Sequence, residues 1–169
     1  MKSKGNLRLQ FANAGLTAAL IVAGSAAAQT LPKEGSYDFI SCWSGVSTMV
    51  GLAKTQGAMS VEFSGNTRSI TPGGMFDKNS FRCVGLTSNF GGKITGRTVC
   101  EAVDMDGDKR LTHFSFSSDG QTIRETVAGT GKYDGIIESG KAQGLGPFPV
   151  IKPGTFQDCN RQTGTYKLK

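Results

Sequence analysis

Apolar and polar side chains alternate with a period of two through most of this chain, and that alternation constrains its fold more than any other feature. In "SYDFISCW" (Ser36–Trp43), Tyr37, Phe39, Ser41 and Trp43 fall on one side and Asp38, Ile40 and Cys42 on the other. "AMSVEF" sets Met59, Val61 and Phe63 against Ser60 and Glu62, and "SFRCVGL" sets Phe81 and Cys83 against Arg82 and Val84. "RTVCEAV", "RLTHFSF" and "QTIRETV" continue the pattern, and "GTYKL" ends it. Side chains of an extended strand point alternately to opposite faces, so each run can pack one face on a core and leave the other to solvent or a polar cavity. The breakers "SGN", "TPGG", "FGGK", "MDGD" and "SSDGQ" supply residues that tolerate positive φ. About seven or eight short strands separated by such turns describe an all-β barrel or sandwich. "VSTMVGLAK" (Val46–Lys54) alone suggests a helical turn or two, and "GKAQGLGPFPVIKPG" (Gly140–Gly154) reads as a long loop.

The N-terminus reads as a leader. Lys2, Lys4 and Arg8 precede the apolar, small-residue run "GLTAALIVAGSAAA", and Ala26-Ala27-Ala28 offers a cleavage site before Gln29. This is the anatomy of a secretory signal peptide, too short in its apolar part to span a bilayer. Residues 1–28 are therefore expected to be removed, leaving residues 29–169 as one β-barrel domain, exported to a periplasmic or extracellular space. No later segment predicts a membrane span. Of the 24 glycines, three fall in the leader, which leaves 21 in the remaining 141 residues. Such glycine content suits the bulges and corners of a small closed antiparallel barrel. Three of the basic residues behind the formal charge of +6 also belong to the leader. The remaining lysines and arginines are scattered, with no basic stripe or aromatic platform, so nucleic acid is not an expected partner.

All four cysteines, Cys42, Cys83, Cys100 and Cys159, lie beyond the leader. An even count in an exported chain predicts disulfides, and four cysteines allow three connectivities. Without a CxxC pair, and with His113 the single histidine, neither a zinc site nor a redox centre is expected. Cys83 and Cys100 flank the turn in "NFGGKITG", and Cys42 and Cys159 lie in the first and last strands, which adjoin in a closed barrel. Strand order thus predicts the pairs Cys83–Cys100 and Cys42–Cys159.

The acidic stretch "EAVDMDGDKRLTHF" (Glu101–Phe114) invites comparison with a calcium loop. Counted from Asp104, Asp106 and Asp108 fill loop positions 3 and 5. However, Lys109 stands where an EF-hand needs Gly, and Ser115 stands where it needs a bidentate Glu. Between alternating runs, Asp106-Gly107 reads better as a two-residue hairpin turn, and no metal or cofactor is expected. Candidate catalytic residues are few. His113 shares a face with Leu111 and Ser115, and Glu101 and Glu125 lie on strands that could share an interior, where each would perturb the other's ionisation. The competing reading turns both glutamates to solvent, paired with Arg82, Arg110 or Arg124. No serine occupies a GxSxG elbow.

"DMDGDKRL" (Asp104–Leu111), followed by "AGTGKYDGIIESG" (Ala128–Gly140), resembles the paired signature of the allene oxide cyclase-like and dirigent-like barrels. The residues that carry the resemblance are Asp106, Gly107 and Asp108, then Gly129, Thr130, Gly131, Tyr133 and Gly135. What it implies is an eight-stranded antiparallel barrel whose apolar interior can hold an oxidised lipid or a phenolic. No catalytic residue of those enzymes maps onto this chain. Two functional expectations follow. One is an exported, non-enzymatic barrel that binds a small apolar ligand or a partner, with Phe148, Val150 and Ile151 as candidate contacts beside the mouth. The other is a cyclase or isomerase acting on a lipid or phenolic, with Glu101, Glu125 and His113 in polar roles.

Overall fold

The computed structural model describes residues 31–53, 55–119 and 122–169; the expected leader lies outside them. Eight antiparallel strands form one sheet: β1 (Glu34–Ala53), β2 (Gln56–Ser69), β3 (Ser80–Phe90), β4 (Lys93–Val103), β5 (Lys109–Phe116), β6 (Thr122–Gly129), β7 (Ile137–Gly144) and β8 (Thr155–Lys167). Their spatial order is β6-β5-β4-β3-β2-β1-β8-β7. The sheet curls until β6 and β7 lie side by side without a hydrogen-bond ladder, so the barrel is nearly closed.

The segment Val46–Ala53, expected to include a helical turn, is the continuation of β1. Its β-branched residues favour a strand, and β2 supplies a ladder partner for every residue from Val46 to Gly51. This long hairpin and the β3–β4 hairpin leave Met49, Val50, Leu52, Phe90 and Ile94 exposed near their tips. The β3–β4 turn is the glycine pair Gly91-Gly92, both with positive φ (63° and 81°), as a two-residue hairpin turn demands. The first part of the expected long loop is also ordered as β7, because residues 140–144 pair with β8.

Cys42 bonds to Cys159 and Cys83 to Cys100, each pair directly opposed across adjacent strands with Cα atoms 4.1 Å apart. The first bridge joins the first and last strands, which adjoin as strand order suggested, but it does not lie at the barrel's open seam. β1 and β8 are hydrogen-bonded along thirteen residue pairs, and the seam lies between β6 and β7 instead. The physical reason is the corner after β6. There the chain leaves in a 3-10 turn, Gly131–Tyr133, rather than a hairpin, so β7 takes its ladder from β8 alone.

One end of the barrel is plugged. The β2–β3 connection carries Met75 and Phe76 beneath the strands, where they pack with Tyr37, Phe39, Tyr133, Ile136 and Tyr166 to form the buried core. Phe76 makes edge contacts with Tyr37 (5.2 Å) and Phe39 (5.5 Å) and stacks on Tyr133 (6.1 Å). Phe76 holds φ at 64°, a backbone cost for a bulky residue that its ring contacts offset.

Candidate functional site: an aromatic cavity floored by two arginines

Above that plug the barrel interior is a cavity of about 340 Å³, within the size range of small-molecule sites. The alternation read from the sequence fixes its wall. Phe39, Trp43, Phe63, Phe81, Phe114 and Phe116 all line it. Trp43 and Phe63 pack at 5.7 Å, and Phe63 meets Phe81 at 6.4 Å and Phe156 at 5.9 Å. Gly65 sits opposite Trp43, where a Cβ would run into the Cys42 carbonyl, so this wall depends on a bare backbone. Cys83 and Cys100 belong to the lining, and their disulfide stiffens the β3–β4 side.

The floor is charged. Arg110 of β5 and Arg124 of β6 both line the cavity, with side chains only 6% and 8% exposed. Beneath them Glu138 of β7, 1% exposed, receives Arg124 Nη2 at 3.0 Å and Arg110 Nη1 at 3.5 Å, and the Thr126 hydroxyl donates to its Oε1. Arg124 Nη1 donates to the Tyr37 hydroxyl at 2.8 Å. The Arg110 guanidinium lies over the Phe76 ring, 3.9 Å from its centre. These contacts bridge β6 and β7, so side chains close the seam that the backbone leaves open. Burial, with the like charge of Arg124 beside it, presses the Arg110 pKa down to about 10, so it stays charged at neutral pH. Burial likewise raises the Tyr37 pKa, which keeps the phenol a neutral hydrogen-bonding group. One carboxylate therefore faces two guanidiniums, and Nε of each arginine is buried without a hydrogen-bond partner among the described residues.

The residues singled out in the sequence lie elsewhere. Ala102, Cys100 and Thr98 face inward, so Glu101 points out and pairs with Lys109 at 2.8 Å. Glu125, between inward Arg124 and half-buried Thr126, is exposed. His113 lies opposite Glu125 and Val99 on the outer face and is half-buried, with Ser115 Oγ 3.5 Å from its Nε2. The structure does not bring these three together inside the barrel. Phe148, Val150 and Ile151 are exposed (Ile151 to 86%) in the β7–β8 loop and are not among the cavity's lining residues. The floor was legible in part: Arg110 shares the phase of Thr112, Phe114 and Phe116, which places a charge on a core face. Glu138 follows a corner where phase is lost, and no pattern marks it.

The acidic turn serves the plug. It is a five-residue connection, Asp104–Asp108, rather than a two-residue turn at Asp106-Gly107. Asp104 Oδ1 accepts from the backbone N–H of Asp106 (2.9 Å) and of Asp108 (3.0 Å), which winds the extra residues, with Gly107 at φ 86°. Lys132 Nζ occupies the place a cation would take, 2.9 Å from Asp104 and 2.5 Å from Asp106. Among the described residues no group of three or more His, Cys, Asp or Glu could hold a metal ion. Lys132 brings the two halves of the sequence signature together, for it belongs to the Gly129–Gly135 corner. Lys109 N and Thr130 Oγ1 (2.8 Å) tie the same two segments. Compared with known proteins, the sequence matches no family model and no curated protein, and the fold matches no solved structure.

Proposed function

We propose that this protein is a non-enzymatic, exported barrel that binds a small apolar ligand in its interior. The aromatic cavity above the plugged end carries this reading: six large aromatic side chains line one space of small-molecule scale. The two disulfides fit an oxidising, extracytoplasmic environment, and the leader-like N-terminus supports export to the periplasm or beyond. The cyclase or isomerase alternative relied on Glu101, Glu125 and His113, and outward-facing side chains do not support chemistry inside the barrel.

Trp43 is the only tryptophan of the chain and lines the cavity, so the protein carries its own reporter. An uncharged apolar probe such as N-phenyl-1-naphthylamine should bind saturably, at one equivalent, with energy transfer from Trp43. Native mass spectrometry of protein from its own envelope fraction should show a retained small molecule. Probe fluorescence that rises without saturation and without Trp43 transfer would refute an interior site.

A further inference from the structure

We infer that the ligand is an anionic amphiphile that enters tail-outward and sets a carboxylate on the guanidiniums of Arg110 and Arg124. This rests on the ligand-binding reading above and specifies the chemistry of the same cavity.

The charges at the floor of the cavity do not balance. Arg110 and Arg124 are both more than nine-tenths buried, and Glu138 is the carboxylate that meets them. Glu138 is spoken for by both arginines and Thr126. A buried charge without a counter-charge is costly, and among the described residues one positive charge at this floor has none. The Phe76 ring covers one face of Arg110 but adds no hydrogen-bond acceptor in its plane. Each guanidinium carries five N–H donors, and those facing Glu138 and Tyr37 are a minority. Glu138 and Tyr37 lie behind the arginines and do not line the cavity, whereas the arginines do. The side presented to a ligand is therefore cationic, with the planar donor geometry that matches a carboxylate.

The cavity is also polar along its length. Gln162 lies opposite Phe39 near the floor, and Asp158 lies opposite Trp43, four residues away along β8. At strand rise that separation is about 13 Å. An acid toward the mouth and two cations at the floor disfavour a carboxylate held at the mouth and favour one at the bottom. Between them the wall is the aromatic belt of Trp43, Phe63 and Phe81, suited to an alkyl or other apolar body.

The test compares three probes of one chain length, decanoate, decan-1-ol and decyltrimethylammonium, by Trp43 emission at pH 7.5, using protein exported from the full chain. Decanoate is expected to bind at least ten-fold more tightly than decanol, and the ammonium probe not at all. Arg110→Met leaves Arg124, Glu138 and Thr126 to hold the seam, and should abolish the preference, so that decanoate and decanol bind this variant equally. In wild-type protein, carbon-13 NMR of carboxyl-labelled decanoate should show the bound head group titrating at lower pH than free decanoate. This readout stands even if the variant does not fold. Equal binding of decanoate and decanol, or an unshifted head-group titration, overturns the carboxylate assignment while leaving an apolar site intact. Failure of all three probes and of the uncharged naphthylamine refutes the ligand-binding reading itself.

Discussion

Arg110 and Glu138 show how differently two buried charges can matter. Replacing Glu138 with Gln leaves two guanidiniums facing each other without a counter-charge, and also weakens the contacts across the β6–β7 seam. Breaking a buried pair in this way costs about 3–5 kcal/mol, so urea denaturation of Glu138→Gln should show a loss of that order. Arg110→Met removes the surplus charge and should change stability by less than about 1 kcal/mol, because a buried cation gives way to an apolar side chain of similar length. Acid sensitivity is set at the plug. Burial raises the Asp104 pKa, but Lys132 and the backbone N–H groups outweigh it and hold the carboxyl below its usual range. Burial of Asp77 is likewise outweighed by the N–H groups of Gly73 and Ser69. A carboxyl with a lowered folded-state pKa contributes stability that is fully present above its unfolded value, about 4, and is lost as pH falls through the folded value. Stability measured by urea from pH 7 to pH 2.5 should hold down to about pH 4 and then decline. Asp104→Asn should be less stable at pH 7 by about 2–3 kcal/mol and should show a shallower acid limb.

Among the elements, the corner after β6 decides most. Gly131 holds φ at 52°, and a Cβ there would collide with the Asp108 carboxylate, while one at Gly129 would meet the Tyr133 carbonyl. The corner lets Tyr133 pack beneath the barrel and sends β7 off to pair with β8 instead of β6. Gly131→Ala should destabilise the protein by about 2–3 kcal/mol through backbone strain and loss of the Lys132–Asp108 contact. Amide hydrogen exchange in β6 and β7 should rise before exchange in β1, β2 and β8. Uniform exchange across all strands would show that the corner does not control the seam. The strands themselves were legible from alternation. The run from Val46 to Ala53 and the start of β7 were not, because a local pattern does not show that a neighbouring strand is long enough to pair with them.

For the molecule as a whole, the two disulfides act on different parts of the barrel. Cys83–Cys100 closes a short loop inside the cavity wall, and Cys42–Cys159 ties residues 117 apart in sequence. By loop-closure entropy the bridges contribute about 3 and 5 kcal/mol, respectively. Cys42→Ala/Cys159→Ala should therefore lower stability more than Cys83→Ala/Cys100→Ala. The second pair should perturb Trp43-detected ligand binding more, because both of its cysteines line the cavity, whereas only Cys159 of the first pair does. Thermal unfolding and probe titration of both variants would separate the two effects.

Sequence alone determined that this chain is all-β, that it turns at its glycines, and which side chains of each run share one face. Each of these follows from the two-residue period of an extended chain and the conformational freedom of glycine, both local properties. Only the tertiary structure decided where the barrel stays open, that the acidic turn binds a lysine of the same chain, and which charges are buried. Arg110, Arg124 and Glu138 come from three strands. Their meeting depends on how the sheet curls and on a corner that withholds one ladder, and no short stretch of sequence encodes that encounter. Glu101, Glu125 and His113 looked reactive as residue types, but strand phase, once the barrel closes around its aromatic face, turns them to the outside.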